Sequence, residues 1–142
     1  MTACVIDASA VLAFLFGERG GDVAQVWLDR GAAMSTANVQ EVVATLVGRG
    51  ASLADAVATI DDLAVEVVDL TLADAIAAGG LIAITRPIGL SAGDRCCLAL
   101  GRRLGVPVVH AERRWQPLAG AVGVEMVLIR EPPAEGQDPI GR

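Results

Sequence analysis

The chain has 142 residues, 54% apolar and 20% charged, a composition that fits one soluble globular domain and offers no run of the roughly 18 uninterrupted apolar residues that a bilayer requires. Its formal charge of −6 argues on its face against a polyanionic partner, and because all eleven basic residues are arginine, any mechanism that needs a lysine is excluded. Asp7 interrupts the opening apolar run and no basic residue precedes it, so an export signal is not expected, and Cys4, Cys96 and Cys97 lack the spacing of a zinc site or disulfide framework and read as buried thiols of a reducing cytoplasm.

Residues 3–6 are a predicted buried strand, followed by an apolar helix from about Ser9 to Phe16 and an amphipathic one from about Gly21 to Arg30, with Val23, Val26 and Trp27 on its apolar side. Ala33 to Thr36 is the second predicted strand and Ala37 to Gly48 the next helix. Ser52 and Asp55 give "SLADAVATIDDL" a capping-box start, "VEVVDL" is a strand, and "TLADAIAAGGLIAI" is helical despite Gly79 and Gly80. After the loop "TRPIGL", a helix runs from Ser91 to a stop at Gly105, "VPVVHA" is a buried strand, "ERRWQPLAG" a short helix or turn, and "VEMVLI" the last strand. From Glu131 the apolar pattern ends and prolines accumulate, so the folded domain is expected over 1–131 and a disordered tail over 132–142.

Strands alternating with helices predict a parallel sheet covered on both faces, with ligands beyond the carboxyl ends of its strands. Three acids are placed at that edge by the strand they follow, Asp7 after the first strand, Glu41 in the first turn or so of the helix after the second and Glu112 after "VPVVHA", and Asp94, in the first turn of the helix that begins near Ser91, joins them if that helix starts at the same edge. Each has an ordinary alternative. Asn38 to Glu41 and Ser91 to Asp94 both fit capping-box spacing, and acids near helix N-termini gain about 0.3–1 kcal/mol from the helix dipole. Asp7 resists that explanation because apolar residues flank it on both sides.

Four carboxylates brought together repel one another unless a cation sits among them, and oxygen ligands of this kind suit Mg²⁺ or Mn²⁺. A cation so held polarises a phosphoryl oxygen and lowers the pKa of a bound water. Between Arg86 and Arg114 six arginines stand against two acids, a local basic surplus inside an acidic chain, and Arg95, Arg113 and Arg114 are the candidate phosphate contacts, weighed against a role as solvated helix-face charges. Together these features point to hydrolysis of a phosphodiester.

"VIDASAVLAFL", "ANVQEVV", "GLSAGDRCCLALG" and "VVHAERRW" resemble, in order and spacing, the four acidic motifs of PIN-domain nucleases, most of all the VapC-type toxins of bacterial toxin–antitoxin pairs, over about residues 3–130. The resemblance implies an α/β fold, a PIN-like three-layer α/β/α sandwich with a central, mostly parallel sheet. It implies a cytoplasmic Mg²⁺-dependent endoribonuclease in which a metal-activated water attacks in line and leaves a 5′-phosphate. Asp7, Glu41, Asp94 and Glu112 would be its acids, Asp7 and Asp94 the direct metal ligands, and Ser9 a supporting hydroxyl. It also implies an RNA substrate, a cognate antitoxin that blocks the site, and a homodimer that forms a heterotetramer or larger assembly with it, without a membrane. Two positions depart from the family pattern: Glu112 stands where Asp is usual, and His110 where Thr or Ser is common.

Other readings compete. Gly89 to Gly93 matches the G-x-S-x-G elbow of serine hydrolases, with Ser91 as nucleophile and His110 downstream, but "RPI" precedes it where a strand is required. Phospho-aspartate folds need a lysine. A PIN-like module that binds RNA or protein without cleaving is the alternative if Glu112 and His110 weaken the metal site. Trp27, Trp115, Phe14 and Phe16 read as core residues and His110 as a packed strand-end residue, while the family resemblance implies an antitoxin groove over the first helices.

Overall fold

The computed structural model describes residues 1–130. The predicted tail, 132–142, lies outside the described residues. Five short strands, β1 (Cys4–Ile6), β2 (Ala32–Ser35), β3 (Glu66–Val68), β4 (Val108–His110) and β5 (Met126–Leu128), form one sheet in the order β3-β2-β1-β4-β5. Each of the four neighbouring pairs is parallel. Parallel neighbours require crossovers, and these carry helices α1 (Ala8–Leu15), α2 (Gly21–Gly31), α3 (Thr36–Gly48), α4 (Leu53–Asp62), α5 (Leu72–Gly80), α6 (Ile82–Thr85), α7 (Ala92–Leu104) and α8 (Ala119–Val122).

Strand alternation divides the apolar residues between two layers. Cys4, Ile6, Met34 and Val109 pack with Val11, Ala24 and Val42 of the first three helices, whereas Val5, Ala33 and Val108 pack with Cys97, Leu98, Leu100 and Trp115 on the other face. All three cysteines are buried free thiols. The chain leaves β1 toward β2 and β3 and later returns to β1's other side as β4, so a topological switch point lies at the carboxyl end of β1. Among the described residues no helix is long and apolar enough to cross a membrane.

Three local expectations change. The predicted helix over 71–84 divides at Leu81, where the exposed, helix-weak pair Gly79–Gly80 lets the chain turn so that Leu81 enters the core. Residues Arg86–Ile88 of the predicted loop wind into a 3-10 turn. α3 is capped by Ser35, whose hydroxyl accepts the Ala37 N–H at 3.2 Å, so Asn38 is an interior, fully buried helix residue instead of a cap. Asp74 of α5 and Arg103 of α7 form a bidentate pair, 2.8 and 3.0 Å, that fastens these two helices across the layer.

Candidate functional site

Asp7 leaves β1 with its N–H still in the ladder, donating to Val109 O at 2.9 Å. Its carboxylate then caps α1. Oδ2 accepts the Ser9 N–H at 3.0 Å and the Ser9 hydroxyl at 2.5 Å, while that hydroxyl accepts the N–H of Ala111, just past β4, at 3.0 Å. Ser9 therefore joins the ends of β1 and β4 and orients Asp7. Asp7 is only 2% exposed, and burial pushes its carboxyl up to about 7; the Ser9 bonds oppose the rise and the charges of Asp94 and Glu41 add to it.

Glu41 projects from α3, and burial followed by the Asp94 charge raises its carboxyl above the ordinary glutamate range. Asp94 is the third residue of α7, in a true capping box: its Oδ2 accepts the Ser91 N–H at 2.9 Å and its own N–H donates to the Ser91 hydroxyl at 3.1 Å. One side chain thus both caps α7 and joins the carboxylate cluster. One oxygen each from Asp7, Glu41 and Asp94 lies within 4.8 Å of the other two. Among the described residues none of the three is ion-paired to an arginine. A hard-oxygen donor set without a protein counter-charge suits a divalent cation.

Two residues outside the predicted set complete this geometry. Asn38 Nδ2 donates to Gly93 O at 3.2 Å and to Asp7 Oδ1 at 3.4 Å, linking α3, α7 and the end of β1, while its Oδ1 is buried without a partner. Its sequence cue was an amide on an otherwise apolar helix face. Gly93 leaves the room that the Glu41 carboxylate occupies, since a Cβ there would land on it.

Glu112 stands outside the trio but lines the same cavity, of about 510 Å³, together with Asp7, Glu41 and Asp94. The arginines of that cavity are Arg49 and Arg130. Arg49, capping α3, lies 4.0 Å over the Phe16 ring, and Arg130 donates to Arg19 O at 2.9 Å and pairs with Glu18 at 3.1 Å. The predicted phosphate contacts are not among the cavity residues. Arg95 donates to Leu90 O at 2.8 Å, Arg114 to Ile88 O at 3.1 Å, and Arg113 is exposed at the start of the 3-10 turn Arg113–Leu118. Arg49 and Arg130 are too far apart in sequence to give a local signal.

The serine-hydrolase reading fails on geometry. Ser91 follows a 3-10 turn instead of a strand and serves as a helix cap, while buried His110 bonds Gln116 and the Glu112 N–H. Burial lowers the His110 pKa, with the Gln116 bond and the Asp94 charge opposing. Trp115 is core, as expected, whereas Trp27, Phe14 and Phe16 are half-buried.

A family model described as PIN domain matches residues 4–121. The chain belongs to the PIN domain family. This PIN domain shares its fold with a DNA-bound VapBC from Salmonella typhimurium (14% identity, TM-score 0.68, covering 91% of this chain and 99% of that one). It also matches a toxin–antitoxin complex from Klebsiella pneumoniae (17%, TM-score 0.64, 90% and 98%) and VapBC-5 of the VapBC family of toxin–antitoxin systems from Mycobacterium tuberculosis (19%, TM-score 0.60, 90% and 99%). No curated protein matches the chain by sequence. In this PIN domain the acids gather at the switch point between β1 and β4, delivered by three separate elements.

Proposed function

We propose that this PIN domain is a Mg²⁺- or Mn²⁺-dependent endoribonuclease, the VapC-type toxin of a cytoplasmic toxin–antitoxin pair. The observation that carries the reading is the convergence on one open cavity of three carboxylates, one of them buried, that have no ion-pair partner among the described residues. Asp7 and Asp94 would hold the cation, with Glu41 closing the set and Ser9 and Asn38 fixing Asp7. When bound, a divalent cation supplies Lewis acidity toward the phosphoryl group and lowers the pKa of water. Glu112, on the wall of the same cavity, orients the water for in-line attack, which leaves a 5′-phosphate and a free 3′-hydroxyl. Arg49 and Arg130, which line the same cavity, would meet the RNA backbone. The solved structures of similar fold are toxin–antitoxin complexes, which supports a cognate antitoxin; its proposed seat is over the first helices near the half-buried Phe14, Phe16 and Trp27, and the proposed assembly is a toxin homodimer within a heterotetramer or larger complex.

Expression in cells tests class and site together: the chain alone should arrest growth, the product of a small neighbouring gene should relieve the arrest, and Asp94→Asn should abolish it. Neither Mn²⁺ binding nor RNA cleavage in the purified protein would favour the second reading, a binding module without catalysis, for which the position of Glu112 outside the trio speaks.

The Asp7 carboxyl fixes a pH dependence. Its value in the fold, about 7, is raised above the ordinary 3.8, so the folded state binds this proton more tightly than the unfolded chain does. Metal-free stability should therefore fall as pH climbs from 3.8 to about 7, and Mn²⁺ should restore it. Below about 7 the proton competes with the metal, and titration calorimetry should show Mn²⁺ affinity falling by up to about tenfold per pH unit.

The arginine assignment has its own test in the cleavage-dead Asp94→Asn background. Arg49→Gln and Arg130→Gln should each weaken single-stranded RNA binding and lower the salt slope by about 0.7. Neutralising Arg95, Arg113 and Arg114 together should change neither, and the reverse pattern would return the RNA path to those three.

A further inference from the structure

His110, the only histidine of the chain, ends β4 with no exposed surface. Three contacts fix its ring. Trp115 stacks on it with centroids 4.7 Å apart and planes 10° from parallel. Nδ1 accepts the N–H of Glu112 at 3.0 Å, and Nε2 lies 2.8 Å from Gln116 Oε1. Because Nδ1 faces a donor it carries no proton, so the ring is the Nε2–H tautomer and donates to Gln116.

The Nδ1 bond repeats a device found at two other strand ends of this sheet. Asp7, following β1, accepts the N–H of Ser9, and Ser35, the last residue of β2, accepts that of Ala37. In each case a side-chain acceptor captures the N–H two residues on and turns the chain off the sheet edge. At the first two strands the turn starts helices α1 and α3. At β4 the captured N–H belongs to the acid itself. A histidine can do this because its Nδ1 stands as many bonds from the backbone as an aspartate Oδ, and its ring adds a surface that Trp115 and Gln116 lock in place.

We propose that His110 is a positioning residue for Glu112: its ring, clamped by Trp115 and Gln116, holds the Glu112 N–H and so sets where this carboxylate enters the acid cavity. The consequence for cleavage rests on the nuclease reading; the consequence for the Glu112 backbone does not.

Nitrogen-15 spectra of the full chain test the geometry directly, since one histidine gives one imidazole signal pair. The expected result at pH 7 is an unprotonated Nδ1, a protonated Nε2 and a Glu112 amide protected from exchange. A protonated Nδ1, or an unprotected Glu112 amide, overturns the proposal. Two variants then separate the acceptor from the stack: His110→Asn keeps an acceptor at the same reach, and His110→Phe keeps the ring alone. The Asn variant should protect the Glu112 amide and cleave within about threefold of wild type, whereas the Phe variant should lose protection and lose kcat on the order of ten- to a hundredfold at unchanged KM. Combined with Glu112→Gln, the Phe substitution should slow the reaction no further; a full additional loss means that His110 acts otherwise, and overturns the proposal. If no form of the protein cleaves RNA, the nuclease reading falls, while the amide protection of the Asn and Phe variants still decides the role of His110.

Discussion

Asp7→Asn is expected to lower metal-dependent RNA cleavage by at least roughly a thousandfold, equivalent to about 4 kcal/mol of transition-state stabilisation, without unfolding the protein. The reason lies in how little else the substitution changes. Asparagine has the same volume and is as good a helix N-cap as aspartate, so the bond from the Ser9 N–H to the α1 cap is kept. What is lost is a buried negative charge that burial already resists, together with the long 3.4 Å contact from Asn38 Nδ2 to Oδ1, Asn38 keeping its shorter bond to Gly93 O. Thermal melts at pH 8 should give a metal-free Tm at or above that of the wild type, and Mn²⁺, which should raise the wild-type Tm, should leave the variant unmoved. Retained cleavage, or an Mn²⁺-dependent Tm in the variant, would remove Asp7 from the ligand set.

Gly93→Ala should separate fold from site in opposite directions. Position 93 is the second residue of α7, where alanine is the better helix former by up to about 1 kcal/mol, so the metal-free Tm should hold or rise. The new methyl group, however, claims the space of the Glu41 carboxylate. Glu41 is partly buried on the end of a flexible side chain, and it yields more cheaply than the backbone does. With Glu41 displaced, Mn²⁺ affinity and cleavage should drop together, on the order of 10- to 100-fold. The double variant with Glu41→Gln should be no weaker than Glu41→Gln alone, because both remove the same ligand. Unchanged Mn²⁺ affinity in Gly93→Ala would mean that Glu41 takes no part in holding the metal.

These two positions differ in legibility. Asp7 stands out in the sequence because a carboxylate inside an apolar run has few places to go, and the place expected for it is the exposed end of a buried strand; it does follow β1, but with 2% of its surface exposed it is buried there. Gly93 carries no such mark: it looks like a tolerated glycine in a helix start, and its purpose appears only when α3 is laid against α7. Asn38 was legible as a cap by spacing, yet Ser35 takes that role and the amide faces inward to Asp7 and Gly93.

The arginines carry the same lesson. The cluster between Arg86 and Arg114 is real as composition, but Arg95 and Arg114 are used on backbone carbonyls and Arg103 on Asp74. The two arginines of the cavity come from the end of α3 and the residues after β5. Local charge density along a chain says which side chains are close in sequence; a cavity collects side chains by the path of the fold.

What the sequence by itself determined is the alternation of strands and helices, the parallel sheet that alternation demands, and the placing of Asp7 just past a strand end and of Asp94 in the first turn of a helix, whereas Glu41 lies beyond the first turn of α3; periodicity and capping are local properties of a few neighbouring residues. Only the tertiary structure decided that Asp7, Glu41 and Asp94 share a 4.8 Å cluster while Glu112 stands apart on the cavity wall, and that Arg49 and Arg130 line the same cavity. Those distances depend on how far each helix rotates and slides on the sheet, which is set by packing among residues remote in sequence and is written in no single segment of the chain.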